Sequence, residues 1–114
     1  MVDERTVKKI EHLAAKGKFE KVLSYATSKH APIRAAVAKA IAQTRVDESY
    51  NMLITMLRDS DISVRRQAII SLGELGRASA VSHVSHFAEN TDDAELKALC
   101  SEAIAKIHAN KNTF

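Results

Sequence analysis

The sequence has 114 residues, of which 46% are hydrophobic and 27% charged, and its formal net charge is +3. These values describe one soluble domain with a single core, and no apolar run reaches the roughly 18 residues that a membrane span requires. The single cysteine, Cys100, excludes an internal disulfide and a cysteine metal cluster. The first residues lack the apolar segment of a secretory signal, so we expect a cytoplasmic protein.

Scarce glycine and proline together with abundant alanine favour an all-α fold. In chain order, the spacing of apolar residues predicts seven helices, over 4–16, 18–28, 32–43, 47–58, 62–75, 78–89 and 94–108. Gly17 and Gly76 stand where helices should end, and Pro32 stands where one should begin. The short linkers predict that consecutive helices pack as antiparallel neighbours.

Three of these helices share one apolar pattern. Ile33-Arg34 aligns with Val64-Arg65, and Leu96-Lys97 aligns with the same pair at nearly the same spacing. In the second copy, the predicted buried stripe is Val64, Ala68, Ser71, Leu72 and Leu75. Each copy follows another amphipathic helix, so the chain is predicted to repeat a helical hairpin.

The second copy runs from Asp61 to Gly76 with the sequence DISVRRQAIISLGELG. It resembles the second helix of HEAT-like repeats, in particular the short variety first noted in the phycobilisome lyase family, whose pattern is D-x-x-V-R-x-x-A-x-x-A-L-G-x-L-G. The matching residues are Asp61, Val64, Arg65, Ala68, Leu72, Gly73, Leu75 and Gly76, with Ser71 in place of an alanine. The other copies depart from the pattern, since His30 stands where Asp is usual and Lys97 replaces the arginine.

This resemblance covers residues 19–108 and implies an α-solenoid of about three HEAT-like hairpins. We expect repeats at 18–45, 46–77 and 78–109, followed by a tail at 110–114. The helix within residues 1–17 fits no copy and is predicted to be an N-terminal cap.

Basic residues recur in the first turn of each repeated helix, where the helix macrodipole disfavours them. The resemblance implies that they form a ladder of ion pairs and hydrogen bonds between repeats, with the residues Arg34, Asp61, Arg65, Asp93 and Lys97. The alternative for Arg65 is an anion-binding residue. Arg66 has alanines at its equivalent positions and no evident structural role.

In folds that this chain resembles, the second helices line the concave surface, where partners usually dock. The residues opposite the buried stripes are predicted to bind a protein, and they are Lys39, Arg66, Ile70, Glu74 and Glu102. Ile70 is the informative member because a large apolar residue there suggests a contact, although single apolar residues also occur on ordinary surfaces.

Catalytic patterns are nearly absent. His83 and His86 share a helix at a spacing that can chelate a metal, but no third ligand is close in sequence. Cys100 aligns with the buried stripe, which predicts a core residue and not a nucleophile. With no Gly-rich phosphate loop and no Ser-His-Asp spacing, we expect no enzyme activity, no metal and no cofactor.

The sequence therefore predicts a non-catalytic protein-binding scaffold or adaptor, present as a monomer or a weak homo-oligomer. One alternative is a nucleic-acid-binding variant, since residues 1–57 hold ten Lys and Arg against six Asp and Glu. Another is an accessory of the bilin lyase type, which rests on resemblance alone.

Overall fold

A computed structural model describes residues 4–44 and 46–111. These residues form seven helices and no strand: α1 (Glu4–Ala15), α2 (Phe19–Leu23), α3 (Ala31–Ile41), α4 (Asp47–Met56), α5 (Ile62–Leu75), α6 (Ala80–Glu89) and α7 (Ala94–Lys111). The prediction of an all-α fold is confirmed. None of the described helices combines the length and the apolar character needed to cross a membrane.

The helices lie in two layers. The pairs α2 and α3, α4 and α5, and α6 and α7 pack as hairpins, while α1 packs on α2 and α3 at the N-terminal end. Helices α1, α3, α5 and α7 contact one another in succession and form the inner layer. Grooves lie between the outer helices α4 and α6 and between α4 and the turns that follow α2. This is the predicted α-solenoid of three hairpins with an N-terminal helix.

The inner helices pack closely because small residues lie where they meet. Gly73 faces α7, and a Cβ atom added there would lie 3.0 Å from the Ala103 Cα atom. Ser71 is fully buried against α3 and donates a hydrogen bond to the Ala38 carbonyl oxygen at 2.8 Å. The predicted stripe of α5 is buried along its whole length, which places the hydrophobic core between the layers and between successive repeats.

Two glycines end helices as predicted. Gly17 has a φ of 75° and follows α1, where the Lys18 N–H donates to the Leu13 carbonyl at 2.9 Å. Gly76 has a φ of 77° and its N–H donates to the Leu72 carbonyl at 3.1 Å. Both positions need the left-handed conformation that glycine adopts without steric cost, so the chain reverses sharply into the next helix.

Helix α2 is shorter than the predicted 18–28. After Leu23 the chain continues in tighter turns, in which the Tyr25, Ala26 and Ser28 N–H groups each donate to a carbonyl three residues back. The Ser24 hydroxyl also donates to the Lys21 carbonyl at 2.5 Å. A serine that bonds the preceding turn competes with regular helical hydrogen bonding, which accounts for the early end of α2.

Helix α7 continues to Lys111, beyond the predicted end at 108. The predicted tail at 110–114 therefore begins inside α7, and its residues 112–114 lie outside the described residues. The first three residues of the predicted cap, 1–3, also lie outside them.

Candidate protein-binding surface

Helix α5 has one fully buried side and one side that is open to a partner. Val64, Ala68 and Leu72 are fully buried, whereas Ile70 is half-buried and Glu74 is exposed on the opposite side. This division follows from the spacing of the apolar residues, since positions three and four apart share a side of an α-helix.

The predicted binding residues occupy equivalent positions on three adjacent inner helices. Lys39 on α3, Ile70 on α5 and Glu102 on α7 align with one another when the three repeats are superposed in sequence. Since α3 packs on α5 and α5 on α7, equivalent positions lie side by side. We call the surface formed by Lys39, Arg66, Ile70, Glu74 and Glu102 the inner face.

Arg66 has a structural partner that sequence reasoning missed. Its Nε and Nη2 atoms donate to one carboxylate oxygen of Glu95 on α7, at 3.1 and 2.7 Å. The expectation of no structural role for Arg66 is therefore wrong. Glu95 lies in the next repeat, far away in sequence, so only the stacking of α5 on α7 brings the two together. The side chains are 38% and 61% exposed, and water weakens such a surface pair.

Arg34 makes the main polar contact between the first and second repeats. Its Nε and Nη2 atoms donate to the two carboxylate oxygens of Asp59, each at 2.9 Å, and its Nη1 atom donates to the Ser28 carbonyl at 2.9 Å. The two side chains are only 16% and 13% exposed. A bidentate pair of this kind combines charge with fixed geometry, so it sets the register of one repeat on the next.

This contact shifts the pKa of both groups. Hydrogen bonding to Arg34 lowers the pKa of Asp59, and a hydrogen bond from the Asp61 N–H acts in the same direction. Hydrogen bonding to Asp59 raises the pKa of the Arg34 guanidinium. Both shifts favour the charged forms, which keeps the pair ionised in the folded chain.

Asp61 has a different role from the one that the resemblance implied. Its carboxylate caps α5 by accepting hydrogen bonds from the Ser63 N–H at 2.8 Å and the Ser63 hydroxyl at 2.6 Å. Those bonds lower the pKa of Asp61. The carboxylate that Arg34 contacts thus belongs to Asp59, and Asp61 offsets the unfavourable placement of the arginines at the start of α5.

The repeated helical hairpins agree with a comparison to known families. A family model described as HEAT repeats matches residues 19–105. The chain belongs to the HEAT-repeat family. No curated protein matches the chain. HEAT repeats commonly mediate contacts between proteins and generally form scaffolds without a catalytic role.

The third HEAT repeat lacks the arginine contact. Asp93 accepts a hydrogen bond from the Leu96 N–H at 3.0 Å and so caps α7. The Lys97 side chain is exposed and pairs with no carboxylate within residues 4–44 and 46–111. Arg65 donates through Nη1 to the Asp59 carbonyl at 2.8 Å. Of the five predicted ladder residues, only Arg34 forms an ion pair between repeats.

A groove of about 500 Å³ extends the inner face of the first HEAT repeat toward α1. Ala35 and Ala36 line it beside Lys39, at the positions where α5 carries Arg66 and Gln67. The side chains at these positions are short here and long in the next repeat, and the short ones create this depression. This difference in side-chain length can be read from the aligned repeats, so the sequence contained a signal for this groove.

Chemically reactive groups are few in the described chain. No group of three His, Cys, Asp or Glu residues among those that the structure describes is placed to hold a metal. Cys100 is buried in the stripe of α7, and burial raises the pKa of its thiol. His83 and His86 are exposed on α6, where they face a groove beside Arg65.

Proposed function

We propose that this chain is a non-catalytic scaffold or adaptor that binds a protein partner through the inner face. One observation carries the proposal: the buried stripe stays small or apolar in each repeat, while the row beside it changes from Lys39 to Ile70 to Glu102. Packing constrains the stripe, whereas a surface row is free to match a partner.

The inner face combines an apolar centre with charged residues around it. Ile70 supplies a half-buried apolar contact at the centre, flanked along α5 by Arg66 and Glu74. Arg66 is held by Glu95, so it loses less side-chain entropy on binding than a free arginine would. Lys39 and Glu102 place opposite charges at the two ends of the row, which would orient a partner of complementary charge.

The test begins with a partner isolated by affinity pull-down from the native host and then produced in pure form. A double substitution, Arg66→Glu with Ile70→Ser, should weaken binding of that partner by about tenfold or more, because central contacts carry most of the energy of an interface. Isothermal titration calorimetry measures the affinity.

A matched control carries the same kinds of change away from the inner face. Lys21 lies on α2, and Val46, which is 50% exposed, precedes α4. Lys21→Glu with Val46→Ser should leave the affinity within about twofold of the unmodified protein, since these residues lie outside the proposed contact. Unchanged affinity of the inner-face variant, with its circular dichroism spectrum intact, would refute the proposed surface.

A nucleic-acid-binding function is the second candidate, because Lys8 and Lys9 are exposed on α1 and Lys16 is exposed directly after it. If it holds, the ratio of absorbance at 260 nm to that at 280 nm should fall when the purified protein is treated with nuclease. Binding should also weaken steeply with added salt, as phosphate contacts release counterions. A ratio that nuclease leaves unchanged favours the protein-binding function.

A further inference from the structure

Arg34 and Arg65 occupy equivalent positions in successive repeats and hold their guanidinium groups in the same way. Each donates through Nη1 to the carbonyl six residues earlier, which is Ser28 for Arg34 at 2.9 Å and Asp59 for Arg65 at 2.8 Å. With Nη1 engaged in this way, each arginine keeps its Nε and Nη2 atoms for another acceptor. For Arg34, that acceptor is the Asp59 carboxylate.

The corresponding carboxylate is absent in the third repeat. When the second and third repeats are aligned, the equivalent of Asp59 is Thr91. The equivalence holds in the backbone, since the Asp61 N–H donates to Asp59 Oδ1 at 2.9 Å and the Asp93 N–H donates to Thr91 Oγ1 at 3.2 Å. Thr91 thus preserves the turn but provides no charge. The Nε and Nη2 atoms of Arg65 consequently meet no carboxylate of the described residues.

A groove of about 530 Å³ between α4 and α6 is lined by Arg65. Its polar lining residues are cationic or neutral except at one position. The cationic and neutral ones include Arg58, Arg65, His83, His86 and Asn90. The exception is Asp59, whose carboxylate is engaged by Arg34. Ile54 and Phe87 are partly exposed and add apolar surface to the same groove.

We propose that this groove, here called the Arg65 groove, binds the carboxylate of an aspartate or glutamate on a segment of a partner protein. The neighbouring repeat shows the ligand that an arginine in this position accepts, a carboxylate held by two parallel hydrogen bonds. The cationic lining attracts such a group, and the apolar surface of Ile54 and Phe87 receives the residues beside it. The site lies on the outer layer and is independent of the inner face.

The ligand chemistry can be tested with N-acetyl-glutamic acid methylamide, a probe whose one carboxylate is a glutamate side chain. In nitrogen-15 NMR titrations, the Arg65 Nε–H resonance should shift and saturate with a dissociation constant of roughly 1–10 mM. The glutamine analogue of the probe should cause no saturable shift. In the Arg65→Gln variant, the affinity measured at the Asn90 amide should fall about tenfold or more, whereas Lys21→Gln, at an exposed residue of α2 outside the groove, should leave it unchanged.

A second variant supplies the carboxylate from a residue of the chain itself. Thr91→Asp places a carboxylate at the position equivalent to Asp59, where it should pair with Arg65. The variant should melt at a higher temperature than the unmodified protein and should no longer bind the probe. This outcome would also show that Arg65 is oriented to receive a carboxylate, independently of any variant that removes the arginine.

Several results would overturn the proposal. Equal binding of the glutamate and glutamine probes would show that charge is not recognised. Full affinity in Arg65→Gln, or full probe binding together with a lower melting temperature in Thr91→Asp, would place the contact elsewhere. Tighter binding of inorganic phosphate than of the probe at Arg65 would reassign the groove to a phosphoryl group. None of these results bears on the inner face, which Arg66 and Ile70 test separately.

Discussion

At the scale of single residues, the pair of Arg34 and Asp59 should contribute more to stability than the pair of Arg66 and Glu95. The first pair is mostly buried and doubly hydrogen-bonded, whereas the second is exposed. Arg34→Ala should therefore lower the free energy of unfolding by about 1.5–3 kcal/mol, and Arg66→Ala by less than about 1 kcal/mol. Urea denaturation measures both, and equal losses would contradict this ranking.

The lowered pKa of Asp59 predicts how the stabilisation by Arg34 depends on pH. The ordinary value is 3.8 in the unfolded chain, and the folded value lies below it because Arg34 donates to the carboxylate. The unfolded chain therefore binds more protons at acid pH, so the contribution is complete above pH 3.8 and is lost as the pH falls through the folded pKa.

The stability difference between the unmodified protein and Arg34→Ala should accordingly be constant near neutrality and shrink below pH 3.8. Urea denaturation at a series of pH values from neutral to acid measures this difference. A difference that persists unchanged at acid pH would show that Arg34 stabilises the fold through contacts other than its ion pair with Asp59, such as the hydrogen bond to the Ser28 carbonyl.

Two fully buried serines should respond in opposite ways to loss of the hydroxyl. Ser71 donates to the Ala38 carbonyl and accepts from Gln67 Nε2 at 3.1 Å, whereas the Ser49 hydroxyl has no hydrogen-bond partner among the described residues. Ser71→Ala should cost about 0.5–1.5 kcal/mol, and Ser49→Ala should be neutral or stabilising by up to about 1 kcal/mol. Thermal denaturation compares the two, and a lower melting temperature for Ser49→Ala would contradict this prediction.

At the scale of elements, the close approach of α5 and α7 depends on Gly73. An alanine normally stabilises a helix interior by about 0.5–1 kcal/mol relative to glycine. Here its Cβ atom would lie 3.0 Å from the backbone of Ala103, which cannot move without shifting α7. Since overpacking costs about 1–3 kcal/mol, Gly73→Ala should destabilise the protein despite its better helix propensity.

The control for this substitution is Glu74→Ala, one residue further along α5 and exposed on the inner face. It should change the free energy of unfolding by less than about 0.5 kcal/mol, because it alters no buried contact. Urea denaturation of both variants separates the effect of packing from that of helix propensity, and a stabilised Gly73→Ala variant would show that α7 can shift freely.

At the scale of the whole molecule, protection from hydrogen exchange should follow the layers. Helix α5 packs against α3, α4 and α7, whereas α2 has five residues and continues into irregular turns. Backbone amides of α5 should exchange slowest, at rates set by global unfolding, and those of α2 fastest through local opening. Hydrogen exchange followed by mass spectrometry measures both, and equal protection of α2 and α5 would indicate that the repeats unfold as one unit.

Local features of the sequence determined the helices, their order and the repeated hairpin. Apolar spacing and end signals such as Gly17, Gly76 and Pro32 act within one or two helical turns, so they are visible without the fold. The buried stripe of α5 was likewise predictable, because a periodic pattern specifies which side of a helix faces the core. Helix α2 was predicted too long, since its end depends on a choice between two local hydrogen-bonding patterns.

The tertiary structure decided which polar side chains meet. Arg34 on α3 contacts Asp59 beyond α4, and Arg66 on α5 contacts Glu95 on α7, so each pair joins two different repeats. A repeat pattern shows that arginines recur, but it does not set the distance from each guanidinium to the carboxylates of the next repeat. That distance depends on how the hairpins stack, since a hydrogen bond requires its two atoms to lie within about 3 Å of each other. The same stacking places Arg65 beside an open groove.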